Sequence, residues 1–391
     1  MNDKKKILFV TGTRADFGKL KPLIKAVDKS EAFECLIFVT GMHVLSRYGL
    51  TASEVYRAGF HNVFTYMNHV YGEPMEVILA NTILGLSRYS TEYTPDMVVI
   101  HGDRVEALAG AIVGALRNIL VGHIEGGEVS GTIDELIRHS ITKLAHLHFV
   151  SNERAKNRLI QLGENEKSIF IIGSPDIDIM LSKTLPSLDT VKKYYEIPFP
   201  RYGVVIYHPV TTEVKKQRRR AEELVAALLR SQGHFVVIYP NNDLGADEIV
   251  AAYKQIKGNP RFKIYSSMRF EYFLTLIKHA DFILGNSSAG IHEAPVYGVP
   301  TINIGKRQHN RFYHESILNV ACKREAILEG IARALDLEKF PPCNHFGDGH
   351  STRRFLTCLQ NQALWSTPKQ KQFIDIINSF SLHAHISEIK K

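Results

Sequence analysis

Cysteine is scarce in this 391-residue chain, and the four present, Cys35, Cys322, Cys343 and Cys358, are widely spread. No CxxC pair occurs, which argues against a disulfide framework or a cysteine zinc site and fits reduced thiols. Long apolar runs are also missing. The longest uncharged, mostly small-apolar stretch, Ala107 to Leu116, is shut in by Glu106 and Arg117. It falls far short of the ~20 residues of a membrane span. The basic start (Lys4, Lys5, Lys6) leads into only Ile7 to Val10 before Thr11 and Gly12, too short an apolar core for a secretory signal. A soluble, cytoplasmic protein is expected. There is no fixed 20 to 50 residue repeat, no zinc finger, no aromatic RNA-binding signature and no basic heptad. What is present is ordinary for a globular chain: 45% hydrophobic and 23% charged residues, enough to build a sizeable core. At roughly 100 to 200 residues per domain the length suggests two domains.

The net charge of +8 is unevenly placed. Residues 1–183 hold 20 Lys and Arg against 21 Asp and Glu, so of the 48 and 40 in the whole chain, 28 and 19 remain for residues 184–391. A basic half admits nucleic acid, an anionic surface or a phosphorylated small molecule. The densest run, Lys215 to Arg220, leads into AEELVAALL and reads as a solvated helix end. The phosphorylated small molecule is favoured, and no nucleic acid or membrane partner is expected.

Short β-rich runs alternate with helical patterns: residues 7–10, 35–39, 97–100, 119–124, 148–150 and 169–172, then 204–207, 235–239, 262–265, 282–285 and 301–304. Between the two series, 184–200 is polar and Pro-bearing, the texture of a hinge. Alternation of this kind predicts an α/β fold of two Rossmann-like, doubly wound domains, 1–183 and 184–368, facing a central cleft. KQKQFIDIINSF near 369–380 predicts a closing helix in a 369–391 tail that crosses back to the first domain. In such sheets ligands sit beyond the carboxyl ends of the strands.

Four strand-end motifs carry chemistry. GTRADFGKLKPL (12–23) follows the first strand; helix-start amides and Arg14 could hold an anion, and the absence of GxGxxG argues against a dinucleotide. HGDRVEAL (101–108) and GHIEGGEVSGTIDELIRHS (122–140) place Asp103, Glu125 and Asp134 near one point, with two glycines that let backbone approach a ligand. Asp103 could instead cap a helix, or the acids could nest a metal, although no HxxxH supports that. Clustered acids repel, so at least one raised pKa is expected. In FILGNSSAGIHEAPVYGVP (282–300), Ser287, Ser288 and Gly290 suit a diphosphate and Glu293 ribose hydroxyls. His208 and Arg269 are candidate phosphate contacts, and Asn241, Asn242 and Phe270 could border a base.

Taken together, GTRADFGKLKPL, HGDR, HIEGGE, RHSI, GSPD, HPVTTE, PNND, RFEYF and GNSSAGI resemble the hydrolysing UDP-N-acetylglucosamine 2-epimerases that make N-acetylmannosamine for sialic acid. The match runs from about residue 6 to 312. Non-hydrolysing relatives carry GTRPE and HVEAG where this chain has GTRAD and HIEGG. The resemblance implies a glycosyltransferase-B-like fold. It also implies anti-elimination of UDP through 2-acetamidoglucal and then hydration, with no cofactor, no required metal and a homo-oligomeric assembly. Asp103, Glu125 and Asp134 match the family's catalytic acids; His208, Ser287, Ser288 and Glu293 match its UDP contacts. Alternatives are the same chemistry on a UDP-linked 2,4-diacetamido-trideoxy sugar, a glycosyltransferase and a non-catalytic UDP-sugar sensor.

Overall fold

The computed structural model describes residues 4–130, 133–241, 243–308, 310–337 and 339–375. Seven strands form the first sheet: β1 (Lys5–Thr11), β2 (Phe33–Val39), β3 (Val63–Thr65), β4 (Met97–His101), β5 (Leu120–Ile124), β6 (Leu147–Val150) and β7 (Ile169–Ile171). Six form the second: β8 (Gly203–Ile206), β9 (Phe235–Ile238), β10 (Phe262–Tyr265), β11 (Phe282–Gly285), β12 (Thr301–Ile304) and β13 (Ile317–Val320). The orders are β3-β2-β1-β4-β5-β6-β7 and β10-β9-β8-β11-β12-β13. Every pairing is parallel.

Continuous apolar strands can be buried on both faces, and here they are. Alternate side chains of β1 go to opposite sides, Ile7 and Phe9 into one core and Leu8 and Val10 into another, as the period-two pleat requires. In the second sheet Val205 and Val204 divide in the same way. Each sheet reverses direction once, between β1 and β4 and between β8 and β11, and a crevice opens beyond the carboxyl ends at such a switch point. The sequence pattern misses β3 and β13, both short edge strands with half-exposed or exposed residues.

Two expectations are revised. Segment 184–200 contains a helix, Leu188–Tyr194, and its Val191, Ile197 and Phe199 are buried under the second sheet, so this stretch is packed core rather than a free hinge. Ahead of the tail expected to cross back, a return to the first sheet is already made by the helix Ser351–Gln360. Its Phe355 and Leu359, four apart on one face, join the core of Phe9 and Phe149. Residues 369–375 are not helical, and among the described residues Phe373 is 90% exposed; residues 376–391 lie outside the described residues. Among the described residues no helix is long and apolar enough to cross a membrane.

Candidate active site

A cleft of about 820 Å³ lies where the strand ends of both sheets meet. Arg14, Asp103, Glu125, Asp134, His208, Ser287, Ser288 and Glu293 all line it. Asn242 lies outside the described residues.

On the first sheet's side the acids are interleaved with cations. Asp103 stands after β4, while the N-cap of the next helix, Val105–Leu116, is Arg104; the acid is therefore free of capping duty. Arg138, on the helix Ile133–Leu144 and only 1% exposed, donates to the Asp103 carboxylate and to the Glu128 carbonyl at 3.1 Å. Asp134, one turn earlier on that helix, meets Arg307 of the second sheet's loops at 2.9 Å. Glu125 follows β5 with a left-handed φ of 63°. One of its oxygens accepts from the Ser174 hydroxyl, and the other lies 3.1 Å from His101 Nε2 and 3.6 Å from Lys19 Nζ. Lys19 also reaches Asp176 at 3.3 Å and Glu293 at 3.6 Å.

This interleaving overturns the expected raised pKa at Asp103 and at Glu125. Burial works against ionisation of Asp103, but Arg138, Arg311 and Arg307 outweigh it and hold the carboxyl at about 2. Burial is likewise outweighed at Glu125, where Lys19 and His101 hold the carboxyl well below its ordinary range. Opposite charges at these distances favour the ionised form. The carboxyls that burial does raise are Asp16 and Asp243.

Asp16 also changes the reading of the first helix, Arg14–Asp28. Its carboxylate accepts from Gly12 and Thr13 amides at 3.0 and 3.2 Å, closing a capping box with Thr13. The helix start therefore already holds an anion of the chain's own. Arg14 spans the cleft instead, donating at 2.8 Å both to Ser267 of the second sheet's loops and to Glu54.

On the second sheet's side uncharged groups dominate. The Asn286 side chain accepts from the His208 amide at 2.6 Å and donates to its carbonyl at 2.9 Å. The Asn241 amide donates to His208 Nδ1 at 3.1 Å. Burial, then Arg307 and Arg104, push His208 well below the usual imidazole range. The neutral ring, accepting at Nδ1, keeps its proton on Nε2. Ser287 caps the single turn Ser288–Gly290, and the helix that follows, Glu293–Val296, has only four residues.

Several residues named from sequence have structural contacts of their own. Arg269 is not part of the cleft wall: its guanidinium lies over Tyr194 and Tyr272, 4.9 and 5.6 Å from the ring centroids, and pairs with Glu54 at 3.5 Å. Gly290 serves packing, since a Cβ there would come within 2.5 Å of Thr301 on β12. Gly126 and Gly127 do the same, because side chains there would collide with His123 and with the Ala155 carbonyl. Phe270 does line the cleft; it also fills the space left by Gly18 and so ties the second sheet's helix Phe270–His279 to the first helix. His123 is fully buried within β5, bonded to the Gly102 carbonyl at 2.8 Å.

Lys19, Asp176, Arg307 and Arg311 line the site or pair with its acids without having been singled out from sequence. Lys19 and Asp176 sat inside quoted motifs. Arg307 and Arg311 follow β12, so the strand-end rule applied to the other strands would have found them. Among the described residues no group of three His, Cys, Asp or Glu is arranged to hold a metal ion.

A family model described as UDP-N-acetylglucosamine 2-epimerase matches residues 25–360. A Neisseria meningitidis protein named UDP-N-acetylglucosamine 2-epimerase is 49% identical over 375 residues, 95% of this chain and 99% of the relative. A Legionella pneumophila protein named UDP-N,N'-diacetylbacillosamine 2-epimerase (hydrolyzing) is 33% identical, covering 96% and 100%. The Escherichia coli polysialic acid biosynthesis protein P7 is 35% identical over 86% and 87%. Among solved structures, the Methanocaldococcus jannaschii UDP-GlcNAc 2-epimerase in complex with UDP-GlcNAc and UDP superposes with a TM-score of 0.78 at 23% identity, covering 90% of this chain and 99% of that one. That likeness shows the shared fold.

Proposed function

This chain belongs to the UDP-N-acetylglucosamine 2-epimerase family, and from that premise we propose that it hydrolyses UDP-N-acetylglucosamine to N-acetylmannosamine and UDP, supplying sialic acid synthesis. One observation carries the reading: three carboxylates of the first sheet and the hydroxyl loop of the second line the same cleft. The names of the Legionella and E. coli relatives support the hydrolytic outcome and the pathway respectively.

The geometry suits two steps. The proton on the acetamido-bearing carbon is not acidified by a carbonyl, so its removal must accompany departure of UDP from the anomeric carbon. Asp103 and Glu125, both held ionised, are the bases available. Arg307 and Arg311, the Ser287 and Ser288 hydroxyls and the neutral His208 offer donors for the departing diphosphate, stabilising charge where it develops. The resulting 2-acetamidoglucal then takes water, hydroxide at the anomeric carbon and a proton on the neighbouring carbon from the opposite face. A diphosphate drawing on Arg307 and Arg311 weakens two of the three cations that depress Asp103, so product UDP moves this carboxyl towards an acid able to supply that proton.

Turnover in deuterated water, followed by proton NMR, tests the proposal. Free N-acetylmannosamine with one deuterium at the epimerised carbon, plus UDP, is expected. A product still linked to UDP, a product without deuterium, or a rate that requires a sugar acceptor overturns it. A second reading, the same chemistry on UDP-linked diacetamido sugars, is favoured by the Legionella relative; kcat/KM on both substrates separates the two.

A further inference from the structure

We propose that Ser174 is a positioning residue for Glu125, and that the chain segment returning to the first sheet, residues 344–352, sets Ser174 in place. The inference rests on the role given to Glu125 above.

Glu125 needs holding. Its φ of 63° is unusual for a residue with a long side chain. Such a conformation costs roughly 1–3 kcal/mol and persists only where the surroundings over-determine it. His101 and Lys19 approach one carboxylate oxygen; the other has the Ser174 hydroxyl. Without that second contact the carboxylate could rotate about its last torsion, because both remaining partners sit on one side.

Ser174 is committed to this contact at a visible sacrifice. It is the N-cap of the helix Pro175–Met180, where a serine side chain ordinarily accepts from the helix's first amides, yet it makes no capping bond. It is 0% exposed. Its hydroxyl goes to Glu125 instead.

Residues far along the chain fix the backbone of Ser174. Its amide donates to the Phe346 carbonyl at 2.6 Å, and its carbonyl accepts from the Ser351 hydroxyl at 3.0 Å. Asp178, on the same short helix, accepts from the amides of Ser351 and Thr352 at 2.8 and 2.7 Å. Phe346 also stacks on His292 with centroids 4.0 Å apart, and His292 lies 3.7 Å from the buried Glu128. The segment that leaves the second sheet therefore aligns an acid of the first.

The test compares kcat, KM and the pH profile of Ser174→Ala. A fall in kcat of roughly tenfold to a hundredfold with KM within about twofold is expected, as for a misplaced reacting group. The acid limb of kcat should also move to higher pH, because the carboxylate loses a donor that favours its ionised form. Lys19 from the first helix and His101 from β4 still face it, with Asp176, Glu293 and His292 behind them, so this shift is set by the missing hydroxyl. Ser174→Thr, which keeps the hydroxyl, should recover most of the rate. In a Glu125→Gln background Ser174→Ala should cost nothing more, since both changes act on one group. Losses that multiply in the double variant, or wild-type kcat and pH profile in Ser174→Ala, overturn the proposal. Full activity in Glu125→Gln alone is a different failure, that of the role given to the acid. Should Ser174→Ala not fold, Ser351→Ala carries the test: a several-fold loss of kcat that vanishes in the Glu125→Gln background supports the proposal, and an unchanged kcat overturns it.

Discussion

Read outward from β1 or from β8, the strand order is the same through six strands, yet the two switch points end in opposite chemistry. β4 ends on His101, beside a carboxylate; β11 ends on Gly285, at a φ of 142° that takes the backbone so close to Ile206 that a side chain would collide with its carbonyl. That turn lets Asn286 bridge the backbone of His208. The first wall is made of acids threaded with Lys19, His101 and Arg138; the second is mostly neutral imidazole, amide and hydroxyl groups, with Asp243, Glu293, Arg307 and Arg311 among them. Topology supplies an address, and the residues at that address decide its use. The walls are also complementary across the gap, as the Asp134–Arg307 and Arg104–Asp243 approaches at 2.9 and 3.8 Å show.

The sharpest way to break this comparison is to remove a charge from each wall and ask which kinetic constant responds. Asp103→Asn keeps the shape but removes the carboxylate that Arg138 donates to; a loss of roughly a hundredfold or more in kcat is expected, the scale of a lost acid-base group. Steady-state kinetics checks it, and a kcat within a few-fold of wild type would mean the acidic wall does no chemistry. Arg307→Ala, from the opposite wall, should weaken UDP about tenfold by calorimetry, the worth of one charge-assisted contact. An unchanged UDP affinity would remove this guanidinium from the diphosphate site and blur the division between the walls.

How far the letters reach differs between the two walls. The buried strands were legible because continuous apolar runs bounded by small residues have few other readings, and Asp103, Glu125, Asp134, His208, Ser287 and Ser288 followed from their positions at strand ends. What the letters hid was pairing. Nothing local tells that Asp16 caps its own helix, that Arg138 neutralises Asp103, or that Lys19 meets carboxylates from three separate segments. Repulsion among acids was therefore expected where the fold supplies cations. The glycines misled for the same reason: Gly127 and Gly290 answer to Ala155 and Thr301, neighbours only in space. Edge strands β3 and β13 escaped because exposed residues dilute the apolar signal.

A smaller asymmetry lies behind the walls. The first sheet, but not the second, is clamped by the chain's last described residues. Lys371 donates to the carbonyls of Thr142 and Ala145, at 3.0 and 2.6 Å, at the far end of the helix that carries Asp134 and Arg138, and to buried Glu164 at 2.5 Å. Burial opposes ionisation of Glu164, but His148, Lys143 and Lys371 hold its carboxyl at about 2. A carboxyl lowered on folding stabilises the fold fully above its unfolded value near 4.5 and loses that contribution as pH falls towards 2. Lys371→Ala should therefore lower stability at neutral pH by about 1.5 kcal/mol, the lower end of the scale for a hydrogen bond to a charged group. Two partners remain for Glu164, which is why a larger loss is not expected. Denaturant titrations at several pH values check the sign: the gap between variant and wild type should narrow between about pH 4.5 and 2. A gap that is constant across that window would mean Lys371 acts through the two carbonyls alone, as a cap on the helix end, and that Glu164 owes its low pKa to His148 and Lys143.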